Sequence, residues 1–185
     1  MNTVQPVRDK KKIEAMKTLL REKDEKYYIM FILGINSGLR VSDILNLKVK
    51  DVKEKKHIVI VEKKTGKMKR FLINDKLKKE LGNYIERMDD EEFLFTSRIK
   101  DKDGNKKHIS RIQAYQVLND VAYKLGLSEI GTHTMRKTFG YWHYKQYHDV
   151  ALLQEIFNHS APSITLRYIG ITDDDMDESI KNFYL

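Results

Sequence analysis

Four short stretches of this chain hold side chains able to bind an anion, move a proton or attack an electrophile. In Ser37-Gly-Leu-Arg-Val-Ser-Asp43, Arg40 follows a tight Gly turn and leads into a helical stretch. A guanidinium there lies beside free backbone N–H groups, a setting that favours anions; a surface pair with Asp43 is the plainer use of the same residues. Lys64 stands beside Thr65 and Gly66 in a basic loop, and local sequence does not separate it from a solvated lysine. His133-Thr-Met-Arg136 puts an imidazole and a guanidinium on one face of a first helical turn, as a phosphate cradle with a proton-exchanging group or as a helix-start His with a surface Arg. In Asn158-His-Ser-Ala-Pro-Ser-Ile-Thr-Leu-Arg-Tyr168, His159 follows an apolar helix and Tyr168 lies on a short helix starting near Pro162. Ten tyrosines are present, and a buried Tyr is ordinarily core. A phenol of pKa about 10 becomes a nucleophile near neutrality only with a base or a strongly positive pocket.

Other chemistries are poorly served. With no cysteine there is no disulfide, thiol nucleophile or Cys-based zinc site. The six histidines include no pair four residues apart, and no Gly-rich nucleotide loop is present, so neither a metal nor a cofactor is expected.

Nine glycines and two prolines in 185 residues point to a mainly helical chain. Ile13, Met16, Leu19 and Leu20 give an amphipathic helix over about residues 9–22, and the apolar run Lys26–Ile35 reads as a central buried helix. A short helix follows from Val41 to Leu47. His57–Val61 and Met68–Ile73, on either side of a Gly-containing loop, predict a β-hairpin. Helix resumes from Lys76 to Met88, and Phe93-Leu-Phe95 could add a strand. Arg98–Lys107 is a loop around Asp103-Gly-Asn105. Ile112 to Leu125 is helical with Gly126 as its C-cap, and Thr132 is placed to N-cap a helix from His133 to about Tyr147. A helix spans Val150–Phe157, and the acidic run Asp173–Glu178 opens a last one ending near Tyr184.

Thirty-five Lys and Arg against 27 Asp and Glu leave a net charge of +8, which favours a polyanionic partner without requiring one. The excess is local: residues 48–70 carry ten basic against three acidic residues, and residues 98–111 six against two. Lys63, Lys67, Lys69, Arg70, Arg111 and Lys137 are the cations placed to contact a phosphate backbone, although a solvated surface explains either cluster alone. No apolar stretch reaches the length of about 18 that a membrane span needs, and no secretory signal core follows the basic start, so a cytoplasmic protein is expected.

Taken in order, Arg40, Lys64, His133, Arg136, His159 and Tyr168 resemble the signature of the tyrosine recombinase (phage integrase) family, with the hairpin between the first Arg and the His-x-x-Arg pair. The resemblance covers nearly the whole chain. It implies the family's catalytic-domain fold, mainly α with a small antiparallel β-sheet, over residues 1–185; family members usually add an N-terminal DNA-clamping domain, which is not expected here, so the chain reads as a fragment or as a short member. It also implies a site-specific recombinase that breaks and rejoins double-stranded DNA through a 3′-phosphotyrosyl intermediate, as in DNA integration. In that reading Tyr168 is the nucleophile, Arg40 and Arg136 hold the phosphate, Lys64 is the general acid, His133 the base, and His159 a hydrogen-bond partner of the phosphate. Family members act as tetramers on DNA, and the apolar residues of Ile180–Leu185 suit packing on a neighbouring copy. A topoisomerase of the same chemistry and a non-catalytic DNA-binding regulator are the alternatives. Departures from the family pattern are Met135, Lys137 and Asn158, where Leu, His and Gly are common.

Overall fold

Two aspartates open the first two helices. Asp9 accepts from the backbone N–H of Lys11 ahead of α1 (Lys10–Lys23), and Asp24 from that of Lys26 ahead of α2 (Glu25–Ser37); each answers a donor that a first turn leaves free. α1 buries one stripe, Ile13, Met16 and Leu20, whereas α2 is buried from Tyr27 through Gly34. In this computed structural model, which describes residues 4–61, 66, 68–181 and 183–184, α2 is the axis on which α1, α4 (Asp75–Ile85) and α6 (Thr134–Tyr147) pack. Gly34 admits α6, since a Cβ there would lie 2.7 Å from the Met135 sulfur. α2 stops at Gly38, whose φ of 67° is left-handed, and Arg40 then leads in extended conformation into α3 (Val41–Leu45). The end of α2 therefore meets the beginning of α6.

The hairpin forms as its β-branched runs require. β1 (His57–Val61) pairs antiparallel with β2 (Met68–Leu72), His57 opposite Leu72 and Val61 opposite Met68. Ile58 points into the core, and Val59, Val61, Met68 and Leu72 remain exposed. Among the described residues the sheet has these two strands only. Phe93–Phe95, the candidate third strand, makes a single bridge between Phe93 and Lys48. Leu94 and Phe95 are consecutive and both buried, so the segment lacks the in–out alternation of a strand and serves as core filling.

α5 (Arg111–Lys124) is N-capped by Ser110, and Gly126 lies one residue beyond its C-cap Leu125. Thr132 does not cap α6. The N-cap is His133, and the Thr134 hydroxyl is the tethering group: it accepts from the Gly131 N–H and donates to the Gln5 carbonyl. α7 (Val150–Phe157) is capped by Asp149, and α8 (Pro162–Ile169) starts on a proline with its φ preset. Gly170, at φ 82°, turns the chain into α9 (Ile171–Ile180). α9 ends short of Tyr184, because the Phe183 N–H bonds back to the Ile180 carbonyl as a turn. Helices α6 to α9 enclose a second apolar cluster of Tyr141, Leu153, Phe157, Ile169 and Ile171 beside the main core. Among the described residues no helix is long and apolar enough to cross a membrane.

Candidate active site

The junction of α2, α6, α7 and α8 gathers residues far apart in sequence. Arg136, on the first turn of α6, is buried, 5% exposed. Its Nη1 donates to the Gly38 carbonyl at the end of α2, and its Nη2 to the Phe157 carbonyl at the end of α7, 3.0 Å away. The guanidinium carbon lies 4.3 Å from the Phe157 ring centroid. One side chain thus ties three helix ends together, and its charge acts on the phenol of Tyr168.

Tyr168 sits on the last turn of α8, half-buried. His133 Nδ1 lies 3.3 Å from its hydroxyl, and the His159 ring packs edge-on to it at 5.0 Å between centroids. His159 is fixed in turn, its Nδ1 lying 3.0 Å from the hydroxyl of fully buried Thr165. Asn158 before it adopts φ 56°, a left-handed turn that Asn tolerates where other side chains are strained. That accounts for Asn at a place where Gly is common.

The electrostatics are those of a cationic pocket. Burial pushes the Tyr168 phenol above its usual value, and Arg136 and Arg40 only partly pull it back. Burial holds His133 below its usual value, with Arg111, Arg136, Lys137 and Arg40 adding to the effect. His159 is lowered by burial, then by Arg136, Arg40 and Lys69. At neutral pH the pocket therefore holds a neutral phenol, two neutral imidazoles and several cations. A neutral His133 with its proton on Nε2 presents Nδ1 to the phenol as a proton acceptor.

Arg40 is exposed at the mouth of this pocket, and its charge reaches His133, Arg136, His159 and Tyr168. Among the described residues it forms no ion pair with Asp43. Lys64, Lys63 and Lys67 lie outside the described residues. Of the other cations set apart in the sequence, Lys69 turns its amine to the α7 carbonyls of Glu155 and Ile156, at 3.1 and 3.5 Å, while Arg70 and Arg111 are exposed. Lys137 is buried with its amine 5.1 Å from the Tyr168 ring centroid. Burial lowers it, Asp173 and Glu129 favour its charge, and Arg8 opposes it.

Part of the basic excess is answered within the fold. Lys48 and Lys50 both pair with Glu91, Lys53 with Asp90 and Lys106 with Glu92. Hydrogen bonds from the first two lysines pull the Glu91 carboxyl down to about 2. Counting charge along residues 48–70 hides this, because the acidic partners lie some forty residues away.

A profile described as the phage integrase family matches residues 7–174. The probable integrase/recombinase YoeC of Bacillus subtilis (strain 168) is 49% identical over 183 residues, covering 99% of this chain and 98% of that protein. Tyrosine recombinase XerA of Pyrococcus furiosus is 28% identical over 155 residues, 83% of this chain and 53% of that protein. The fold is that of the XerH site-specific recombinase bound to palindromic difH substrate in a post-cleavage complex, with TM-score 0.69 and 17% identity, over 97% of this chain and 53% of that one. The chain thus spans nearly all of the Bacillus protein and about half of the other two. With the profile running from Val7 into α9 and the architecture shared, the chain belongs to the phage integrase (tyrosine recombinase) family.

Proposed function

We propose that this chain is a site-specific DNA recombinase that cleaves and rejoins strands of double-stranded DNA by transesterification at Tyr168. The observation that carries this reading is the Tyr168 hydroxyl standing 3.3 Å from His133 Nδ1, in a pocket where the buried Arg136 guanidinium draws the phenol toward ionisation. The phenol oxygen attacks the scissile phosphorus, and the bond from phosphorus to the 5′ oxygen breaks. His133 takes the phenol proton, and Lys64, by its place in the family signature, gives one to the leaving oxygen. Arg40 and Arg136 hold the non-bridging oxygens, where hydrogen bonds strengthen as charge builds, and His159 adds a donor or acceptor beside them. The 3′-phosphotyrosyl bond keeps the energy of the phosphodiester, so a second 5′ hydroxyl reseals the strand by the reverse step. DNA integration is the process this reaction serves, inside the cell. Exposed Ile180, Phe183 and Tyr184 offer apolar surface to a neighbouring copy in a tetramer on DNA.

The test uses a nicked duplex drawn from the DNA flanking the chain's own gene, with products run on a denaturing gel. Wild type is expected to give a covalent protein–DNA band and Tyr168→Phe none, with equal mobility shifts for both. Binding without any band points instead to a non-catalytic DNA-binding regulator, and relaxation of plasmids without a required site points to a topoisomerase.

The pH profile gives an independent check. At sub-saturating DNA the rate reports the free enzyme's groups. A base must be neutral to accept a proton, and His133 is held below the ordinary imidazole value. The rate of adduct formation is therefore expected to stay level from pH 8 down to about 6.5 and to fall only below it. A fall centred above that value rules out His133 as the base.

A further inference from the structure

Residues 5–8 form an irregular arm across the back of the site. Four hydrogen bonds stitch it to α6 and the loop before it. The Gln5 N–H donates to the Glu129 carbonyl (2.8 Å), and the Gln5 carbonyl accepts from the Thr134 hydroxyl (3.0 Å). The Val7 N–H donates to the Thr138 hydroxyl (2.9 Å), and the Val7 carbonyl accepts from Trp142 Nε1 (3.0 Å). The arm is thus bound along the helix that carries Arg136. From it Arg8 reaches the turn just after Tyr168: its Nε donates to Asp174 at 2.7 Å and its Nη2 to the Gly170 carbonyl at 3.2 Å. Gln5 adds a 3.5 Å bond to Asp173. The contact is close enough that a Cβ on Gly170 would lie 2.6 Å from Arg8 Nη2. Asp174 also faces Tyr141 and Lys145 of α6, so it joins the arm, α6 and α9 at one point.

We infer that Arg8, acting with Asp174, is a positioning residue for Tyr168: the arm splints the α8–α9 turn to α6 and so fixes the phenol relative to Arg136 and His133. His133 meets the Tyr168 hydroxyl at the end of α8, and the splint holds the turn that follows. This inference rests on Tyr168 being the nucleophile. A small displacement of a reacting group is enough to cost on the order of a hundredfold in rate, so the splint acts on the chemical step and leaves DNA binding alone.

The test measures adduct formation on the nicked duplex, DNA affinity by mobility shift, and hydrogen exchange of the free protein over residues 162–169. Arg8→Ala and Asp174→Ala are each expected to slow adduct formation by about tenfold to a hundredfold, at unchanged affinity, with faster exchange in α8 and unchanged exchange in α1 and α2. The double variant is expected to be no slower than Arg8→Ala, because that single change has already removed the pair with Asp174. Arg8→Lys keeps the pair with Asp174 and loses the carbonyl bond, so it should recover part of the rate. Wild-type rate in Arg8→Ala overturns the inference, as does a rate that falls only in step with DNA affinity. If wild type itself forms no adduct, exchange decides: faster exchange in Arg8→Ala upholds the splint and places the failure with the transesterification reading, whereas unchanged exchange overturns the splint.

Discussion

Arg136→Ala is expected to slow adduct formation by about 10²–10³-fold and, in the absence of DNA, to lower the unfolding free energy by about 2–5 kcal/mol. Both effects come from one guanidinium. It donates to the carbonyls of Gly38 and Phe157, both in buried residues, and truncation leaves those acceptors without it. Each orphaned buried group costs about 1–3 kcal/mol. For a domain of this size each kcal/mol moves the melting temperature by about 2–4 °C, so a shift on the order of 10 °C is expected. Arg136→Lys retains charge but not the planar fork that spans two carbonyls, so little of the stability should return. Arg40 supplies the contrast. It is exposed, so Arg40→Ala should change stability by no more than about 0.5 kcal/mol while losing rate on the scale of Arg136→Ala. A calorimetric scan beside the adduct assay separates the two. If Arg40→Ala reacts at wild-type rate, the arginines do not act as a phosphate clamp, and the loss in Arg136→Ala is one of architecture.

The same contrast shows what a sequence displays and what it conceals. α1, the hairpin and α7 are legible because each buries one face, and the period of burial is written into consecutive residues: Ile13, Met16 and Leu20, or buried Ile58 beside exposed Val59. Asp24 and Gly38 bracket the apolar run of α2 for equally local reasons. Phe93–Phe95 misled because an apolar triplet fits a strand and a core plug alike, and only the packing around Leu94 and Phe95 decides. At the site, Arg40, His133, Arg136, His159 and Tyr168 could be ordered along the chain, but none is distinctive alone; their meeting depends on how α2, α6, α7 and α8 converge. Lys137 reads in the sequence as a cation for a phosphate backbone, and its burial is what stays concealed. Its charge suggests solvent, yet one step past Arg136 turns a side chain by about 100° around the helix, and here that direction faces the ring of Tyr168. The arm residues Gln5 and Arg8 were equally silent, since their partners at Asp173 and Asp174 lie more than 160 positions away.

Gly38 is where these constraints meet, and Gly38→Ala is expected to cost about 2–5 kcal/mol. Two terms contribute. At φ 67° an alanine pays the left-handed penalty of roughly 1–2 kcal/mol, and its Cβ would lie 2.6 Å from the Phe139 ring, an overpacking that costs about 1–3 kcal/mol. Gly126→Ala isolates the first term. Its φ of 66° is nearly the same, but no atom lies within 4 Å of where its Cβ would stand. Denaturant midpoints for the two variants should therefore differ by the packing term alone, and Gly38→Ala combined with Phe139→Leu should recover part of it. Equal midpoints would mean that α6 yields freely to the added methyl. The consequence for chemistry follows from position. The Gly38 carbonyl accepts from Arg136, and the residue after next is Arg40, so a shift at this turn moves both guanidiniums whose charge acts on Tyr168. Gly38→Ala should thus lose adduct formation well beyond what its stability loss explains at temperatures where it stays folded, whereas Gly126→Ala should react as wild type. A Gly38→Ala protein that is destabilised yet fully active would show that the pocket tolerates movement at the α2 terminus, and that Arg136 finds its place from α6 and α7 alone.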